Sequence, residues 1–201
     1  GYTLRDVSDE MAVLSIQGPR ALEVMCSVVT TRPQSLRDLP FSASVPCEID
    51  GAVVDVMRLT FVGERGYEVH CHVNDIVQVY GAIWKRADAL ARAYNFPCVD
   101  AGYLSMDSLS AEKNYRHWYA DVTSSDTALE AGLGFTVLPK LKKKVDFIGR
   151  AATEAQRARG ITRKLVCLTV DDEDVLVHEN DAIHRDDACV GLVRSSAYGH
   201  T

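Results

Sequence analysis

The first readable pattern is the apolar trio Val13, Leu14 and Ile16, a short strand, followed at once by Gly18-Pro19. Glycine then proline predicts a turn with proline at the first helical position. Leu22, Met25, Cys26 and Val29 recur at spacings of three and four, which predicts a helix over about 19–29 with one face on a sheet. Val45, Cys47 and Ile49 alternate with Pro46 and Glu48 up to Asp50-Gly51, and an apolar run broken by Asp55 and Arg58 follows from Ala52 to Phe61. Asp-Gly between two such runs is a hairpin signal. Beyond the glycine-bearing loop 62–66, Tyr67 to Val73 resumes the alternation of a strand. Asn74 then stands where it caps a helix with Ile76, Val79, Tyr80, Ile83, Ala87, Leu90 and Tyr94 on its apolar side. Strand, helix, hairpin, strand, helix is an α+β order, with an antiparallel sheet covered on one face.

The later pattern is more broken. A further helix is expected from Ala101, with Leu104, Leu109 and Ala111 inward and Glu112-Lys113 towards its end. Residues 121–126 read as a polar loop, Leu129 to Val137 as a strand, and Ala151 to Arg159 as a polar helix closed by Gly160. A domain border is expected near residue 160, dividing 1–160 from 161–201. In the second part Lys164 to Val170 and Ala188 to Arg194 read as strands of another β-rich unit.

Composition narrows the function classes. With 201 residues, 47% of them hydrophobic and 25% charged, the chain can bury a core. Its net charge of −6 is the wrong sign for holding nucleic acid through its phosphates. Six cysteines stand far apart without a C-x-x-C pair, so they read as reduced, mostly buried thiols and not as a zinc site. No apolar run approaches the roughly 20 residues of a membrane helix. There is no G-x-G-x-x-G for a flavin or nicotinamide, no phosphate-binding loop and no Ser-His-Asp order.

Candidate chemistry gathers in three places. In Phe61-Val62-Gly63-Glu64-Arg65-Gly66-Tyr67-Glu68, two glycines let the backbone turn tightly, while Phe61 before and Glu68 after suit the face and edge of a heteroaromatic ring. A pterin or guanine presents an N–H beside an exocyclic amine, and one carboxylate accepts both. A plain hairpin loop with a solvated glutamate is the other reading of the same residues. His70 and His72 share a strand face at a spacing that suits a metal, but no third ligand is placed by the sequence, so ordinary strand histidines stand beside that reading. Tyr115-Arg116-His117-Trp118 suits a cleft where Arg116 binds a carboxylate, or equally an anchor for an irregular loop. The lysine run at 140 and 142–144 suits a solvated face or the tail of an anionic ligand.

Three stretches taken together carry a family likeness: VLSIQGP at 13–19, LTFVGERGYEV at 59–69, and 101–132 with the words AGYLSMDSLSAEKNYRHWYAD and LEAG. Their order and spacing resembles the glycine-cleavage aminomethyltransferase family over essentially the whole chain, and EKNYRHW with the later FIGR looks most like its sarcosine dehydrogenase branch. The resemblance implies a partial three-domain cloverleaf, ending in the start of a β-rich C-terminal domain, around a channel that holds tetrahydrofolate. It implies an FAD-binding half elsewhere in a mitochondrial parent protein that oxidises an N-methyl group, with folate capturing the carbon as 5,10-methylenetetrahydrofolate. On that likeness Glu68 matches the carboxylate at the pterin edge and Phe61 an aromatic position often Tyr in relatives. The catalytic aspartate and the closing strands fall outside this chain, so no catalytic residue is assigned in it. Met106 and Leu104 depart from the family by replacing arginines, which leaves a non-catalytic regulatory relative, or a free-standing aminomethyltransferase, as alternatives.

Overall fold

The computed structural model describes residues 2–172 and 174–200. The chain forms two compact units, 1–115 and 116–201. In the first, strands β1 (Met11–Gln17), β2 (Ser44–Ile49), β3 (Ala52–Met57) and β4 (Gly66–His72) make one sheet in the order β1-β4-β3-β2, and every pairing is antiparallel. Helices α1 (Ala21–Val28) and α2 (Ile76–Tyr94) pack on one face of this sheet. The hairpin between β2 and β3 turns at Asp50 and Gly51, with φ of 51° and 85°, the left-handed pair that a two-residue turn between twisted strands requires.

Period-two alternation decides which side of each strand is buried. Along β4, Tyr67, Val69 and Cys71 are buried with Val54 and Val56 of β3 and with Met25 and Val79 of the helices. Glu68 and His70 point to the other face and are half-buried, and His72 is exposed. Burial pushes the thiols of Cys26, Cys47, Cys71 and Cys98 up from their usual range, which keeps them protonated and unreactive. Cys167 and Cys189 are exposed, so burial is less general among the cysteines than the sequence suggested.

Several helix details differ from expectation. Helix α1 begins at Ala21 behind Arg20, not at Pro19, because Gly18-Pro19-Arg20 is used as a turn whose Gly18 carbonyl accepts from Ala21 N–H. Its buried face is Ala21, Val24, Met25 and Val28, with Leu22 and Cys26 on the flank. Asn74 is not a cap. It lies in a short 3-10 turn and its own N–H is accepted by His72 Nδ1 at 3.2 Å. On α2 the expected Tyr80 and Tyr94 leave the core: Tyr80 stacks on Trp84 and donates to Asp100, and Tyr94 receives the Arg20 guanidinium at 5.2 Å from its ring centre. A polar tip and an amphipathic ring favour the rim over the interior. Helix α3 (Tyr103–Glu112) exists as expected, but Leu104 and Leu109 are exposed and Ser110 is its buried residue.

The second unit contains α4 (Gly134–Lys142), α5 (Arg150–Arg159) and a hairpin of β5 (Ala182–Arg185) with β6 (Ala188–Leu192). Residues 129–137 are therefore not a strand. Thr127 and Glu130 cap each other: the Glu130 carboxylate accepts from Thr127 N–H at 3.0 Å and Glu130 N–H donates to Thr127 Oγ1 at 3.2 Å. This reciprocal box opens a helical turn and overrides the apolar alternation. Residues 164–170 form no strand either. Leu165 N–H donates to Glu130 O, and no ladder forms along the stretch among the described residues. The β5–β6 turn uses Asp186 and Asp187 at φ 49° and 63°, a left-handed pair made without glycine. No helix among the described residues is long and apolar enough to cross a membrane.

Asp126 ties this unit together. It accepts from Thr123 N–H at 2.9 Å and meets Arg163 at 3.3 Å and Arg194 at 3.2 Å. The Thr123 backbone hydrogen bond, with help from the two guanidiniums, holds the Asp126 carboxyl below its usual range, and the Thr127 N–H does the same for Glu130. Carboxyls lowered by folding contribute stability that is complete above their ordinary range of about 4 and is lost as pH falls through the folded value. The melting temperature is therefore expected to hold from neutral pH to about 5 and to fall below about 4. Asp126→Asn is expected to lower neutral-pH stability by about 1 kcal/mol and to make the acid decline shallower. Circular dichroism melts across pH check both, and an unchanged slope in the variant contradicts the role given to Asp126.

Candidate functional site

Glu68 sits in the interior of the sheet, on a central strand flanked in register by Ser15 of β1 and Met57 of β3. Its side chain is 29% exposed on the face left free by α1 and α2. His70, two residues along, lies on the same face between Val13 and Asp55, and its Nε2 is 3.3 Å from Glu68 Oε2. A carboxylate carried by a paired central strand is fixed at its root, half-shielded from water, and retains lone pairs for a ligand that offers two donors.

The loop before β4 is strapped down at several points. Gly18 N–H donates to Arg65 O at 2.9 Å, joining the loop to the end of β1. Arg65 Nε donates to the Tyr67 hydroxyl, which in turn donates to Leu36 O, both at 3.1 Å. Lys113 Nζ pairs with Glu64 at 3.0 Å, and the fully buried Ser110 donates from Oγ to Phe61 O at 2.8 Å. Phe61 itself is 46% exposed at the entrance of the loop. Gly63 has φ 77°, and a Cβ there would lie 2.5 Å from Lys113 Cγ. Gly63→Ala is therefore expected to cost about 1–2 kcal/mol through left-handed strain and displacement of Lys113. Urea denaturation measures it, and a loss no greater than that of an exposed loop alanine would show that the strap is slack.

Arg116 belongs to the second unit, where it is half-buried beside Gly132: a Cβ on that glycine would come within 2.9 Å of Arg116 Nη2. The residues around it form a tight loop. Asp121 Oδ2 accepts from His117 N–H at 2.8 Å, and the Trp118 and Tyr119 rings meet edge to face at 5.6 Å while both stay exposed. Phe61 and Glu68 are thus two ends of one strapped loop and strand, whereas Arg116 is organised by its own unit. His70 and His72 belong to no group of three or more metal-binding side chains among the described residues. At the departure positions Leu104 is exposed and Met106 half-buried on α3. The link from His70 to Glu68 was not drawn from the sequence, although the two-residue spacing on one strand face was its visible signal.

Residues 1–143 match the pattern of the GCVT N-terminal domain, and residues 163–201 match the glycine cleavage T-protein C-terminal barrel domain. The chain belongs to the glycine cleavage T-protein family. Within that family it is 42% identical to the mitochondrial sarcosine dehydrogenase of Mus musculus, over 98% of this chain and 20% of that protein. It is 31% identical to the mitochondrial dimethylglycine dehydrogenase of Homo sapiens over 98% of this chain and 22% of that protein. The crystal structure of glycine cleavage system aminomethyltransferase T from Bartonella henselae aligns with a TM-score of 0.35 at 14% identity, covering 77% of this chain and 63% of that one. The chain therefore spans about a fifth of the length of its dehydrogenase relatives, and it is an aminomethyltransferase-like, α+β region of the T-protein kind.

Proposed function

We propose that this chain is the folate-binding part of a sarcosine dehydrogenase of the mitochondrial matrix. The parent would demethylate sarcosine oxidatively to glycine, with FAD held outside this chain, and pass the carbon to tetrahydrofolate. What carries the reading is the likeness to mitochondrial sarcosine dehydrogenase along 98% of the chain. The chemistry of the open sheet face suits it. The Glu68 carboxylate accepts the paired donors of the pterin edge, and Phe61 offers a ring face. Arg116, in the second unit, is a guanidinium of the kind that binds carboxylates. The bound folate supplies the nucleophilic nitrogens that capture the carbon, and this chain's residues hold and orient it. A border near residue 160 fits the gap between the two family matches, 143 to 163.

A second reading, a regulatory relative without folate, is favoured by Leu104 and Met106 standing where arginines occur in the family. Isothermal titration calorimetry with tetrahydrofolate separates the two. Saturable binding at one site per chain supports the folate reading, and the absence of saturable heat supports the regulatory one.

A further inference from the structure

We infer that His70 is a positioning residue for Glu68, holding one acceptor site of its carboxylate so that the remaining sites of both oxygens face the ligand. The inference rests on the reading of Glu68 as the pterin-binding group. Glutamate has three side-chain torsions, and its neighbours across the sheet do little to restrain them. Met57 offers no donor, and the side-chain hydrogen bond of Ser15 among the described residues is with Gln17 Nε2 at 2.9 Å and not with Glu68. Among the described residues, the side-chain hydrogen bond of Glu68 is the one from His70, Nε2 to Oε2 at 3.3 Å, with both side chains about 30% exposed. In the tautomer that donates from Nε2, the imidazole occupies one acceptor site of the carboxylate and leaves the rest for a bidentate partner. The titratable groups around the ring are Glu68 and His72 on β4 and Asp55 opposite on β3, while β1 presents Val13. Restraining Glu68 before the ligand arrives removes ordering that binding would otherwise have to supply.

The test is a double-mutant cycle on the full chain, read as tetrahydrofolate affinity by calorimetry. His70→Leu is expected to weaken binding about three- to tenfold, and to have no further effect in the Glu68→Gln background. His70→Gln, whose amide nitrogen reaches the place of Nε2, is expected to restore affinity to within about twofold, and His70→Asn, which is too short, is not. The Gln and Asn variants keep the comparison informative if Leu perturbs folding. Wild-type affinity in His70→Leu, an equal penalty in the Glu68→Gln background, or equal behaviour of Gln and Asn overturns the positioning role alone. Wild-type affinity in Glu68→Gln overturns the placement of the pterin and the inference with it.

Discussion

Glu68→Gln is expected to weaken tetrahydrofolate binding by about tenfold to a hundredfold, with the thermal stability of the chain little changed. Glutamine keeps the shape but carries one acceptor oxygen and a donor amide, so it cannot receive both donors of a pterin edge, and it loses the charge that strengthens them. Loss of a charge-assisted hydrogen bond is worth about 1.5–3 kcal/mol, which is that range of affinity. The partial exposure of Glu68 points to its lower end. Stability is insulated because Glu68 lies on the free face of the sheet and touches the fold mainly through the 3.3 Å contact to His70. Titration calorimetry on the wild type and variant, with circular dichroism as the folding control, measures both halves. Equal affinities would remove Glu68 from the site.

The largest stability effect is expected one residue earlier. Tyr67 has no exposed surface, and Tyr67→Ala is expected to cost about 3–5 kcal/mol, the usual cost of deleting a buried aromatic ring. That is a large share of the roughly 5–15 kcal/mol by which a domain is stable, so the first unit should melt at a markedly lower temperature. Its hydroxyl also donates to Leu36 O and accepts from Arg65 Nε. Tyr67→Phe retains the packing and leaves those partners unsatisfied, at about 1–3 kcal/mol. Urea denaturation of the three proteins gives the ranking, and a Tyr67→Ala variant as stable as Tyr67→Phe would contradict this account of the core. Adjacent residues on one strand thus face opposite ways, Tyr67 inward to the core and Glu68 outward on the face proposed for the ligand.

The sheet of the first unit was legible because its strands obey local rules. Asp50-Gly51 satisfies a two-residue turn by itself, and the alternation of β4 separates core from free face without reference to any other element. Helical faces were less legible. Leu104 and Leu109 on α3 are exposed and Ser110 buried, since the side of a helix that turns inward depends on what it packs against, here the Phe61 carbonyl. The segment 129–137 was misread for another reason: its apolar alternation overlaps a Thr-x-x-Glu box from Thr127 to Glu130, and the box closes hydrogen bonds locally before any partner strand is needed.

Residue types and their order alone determined the α+β class of the first unit, the hairpin and the family likeness, and offered Glu68 as a candidate carboxylate for a pterin. Each of these depends on backbone sterics, period-two alternation or short motifs, which act within a few residues. Tertiary structure alone decided that β1 pairs with β4 and places Ser15 beside Glu68. It also decided that Ser110 and Lys113 strap the glycine loop, and which way the His70 ring meets the Glu68 carboxylate. Contacts between residues tens of positions apart, and the rotamers that complete a site, follow from packing the whole unit and leave no mark on the local pattern.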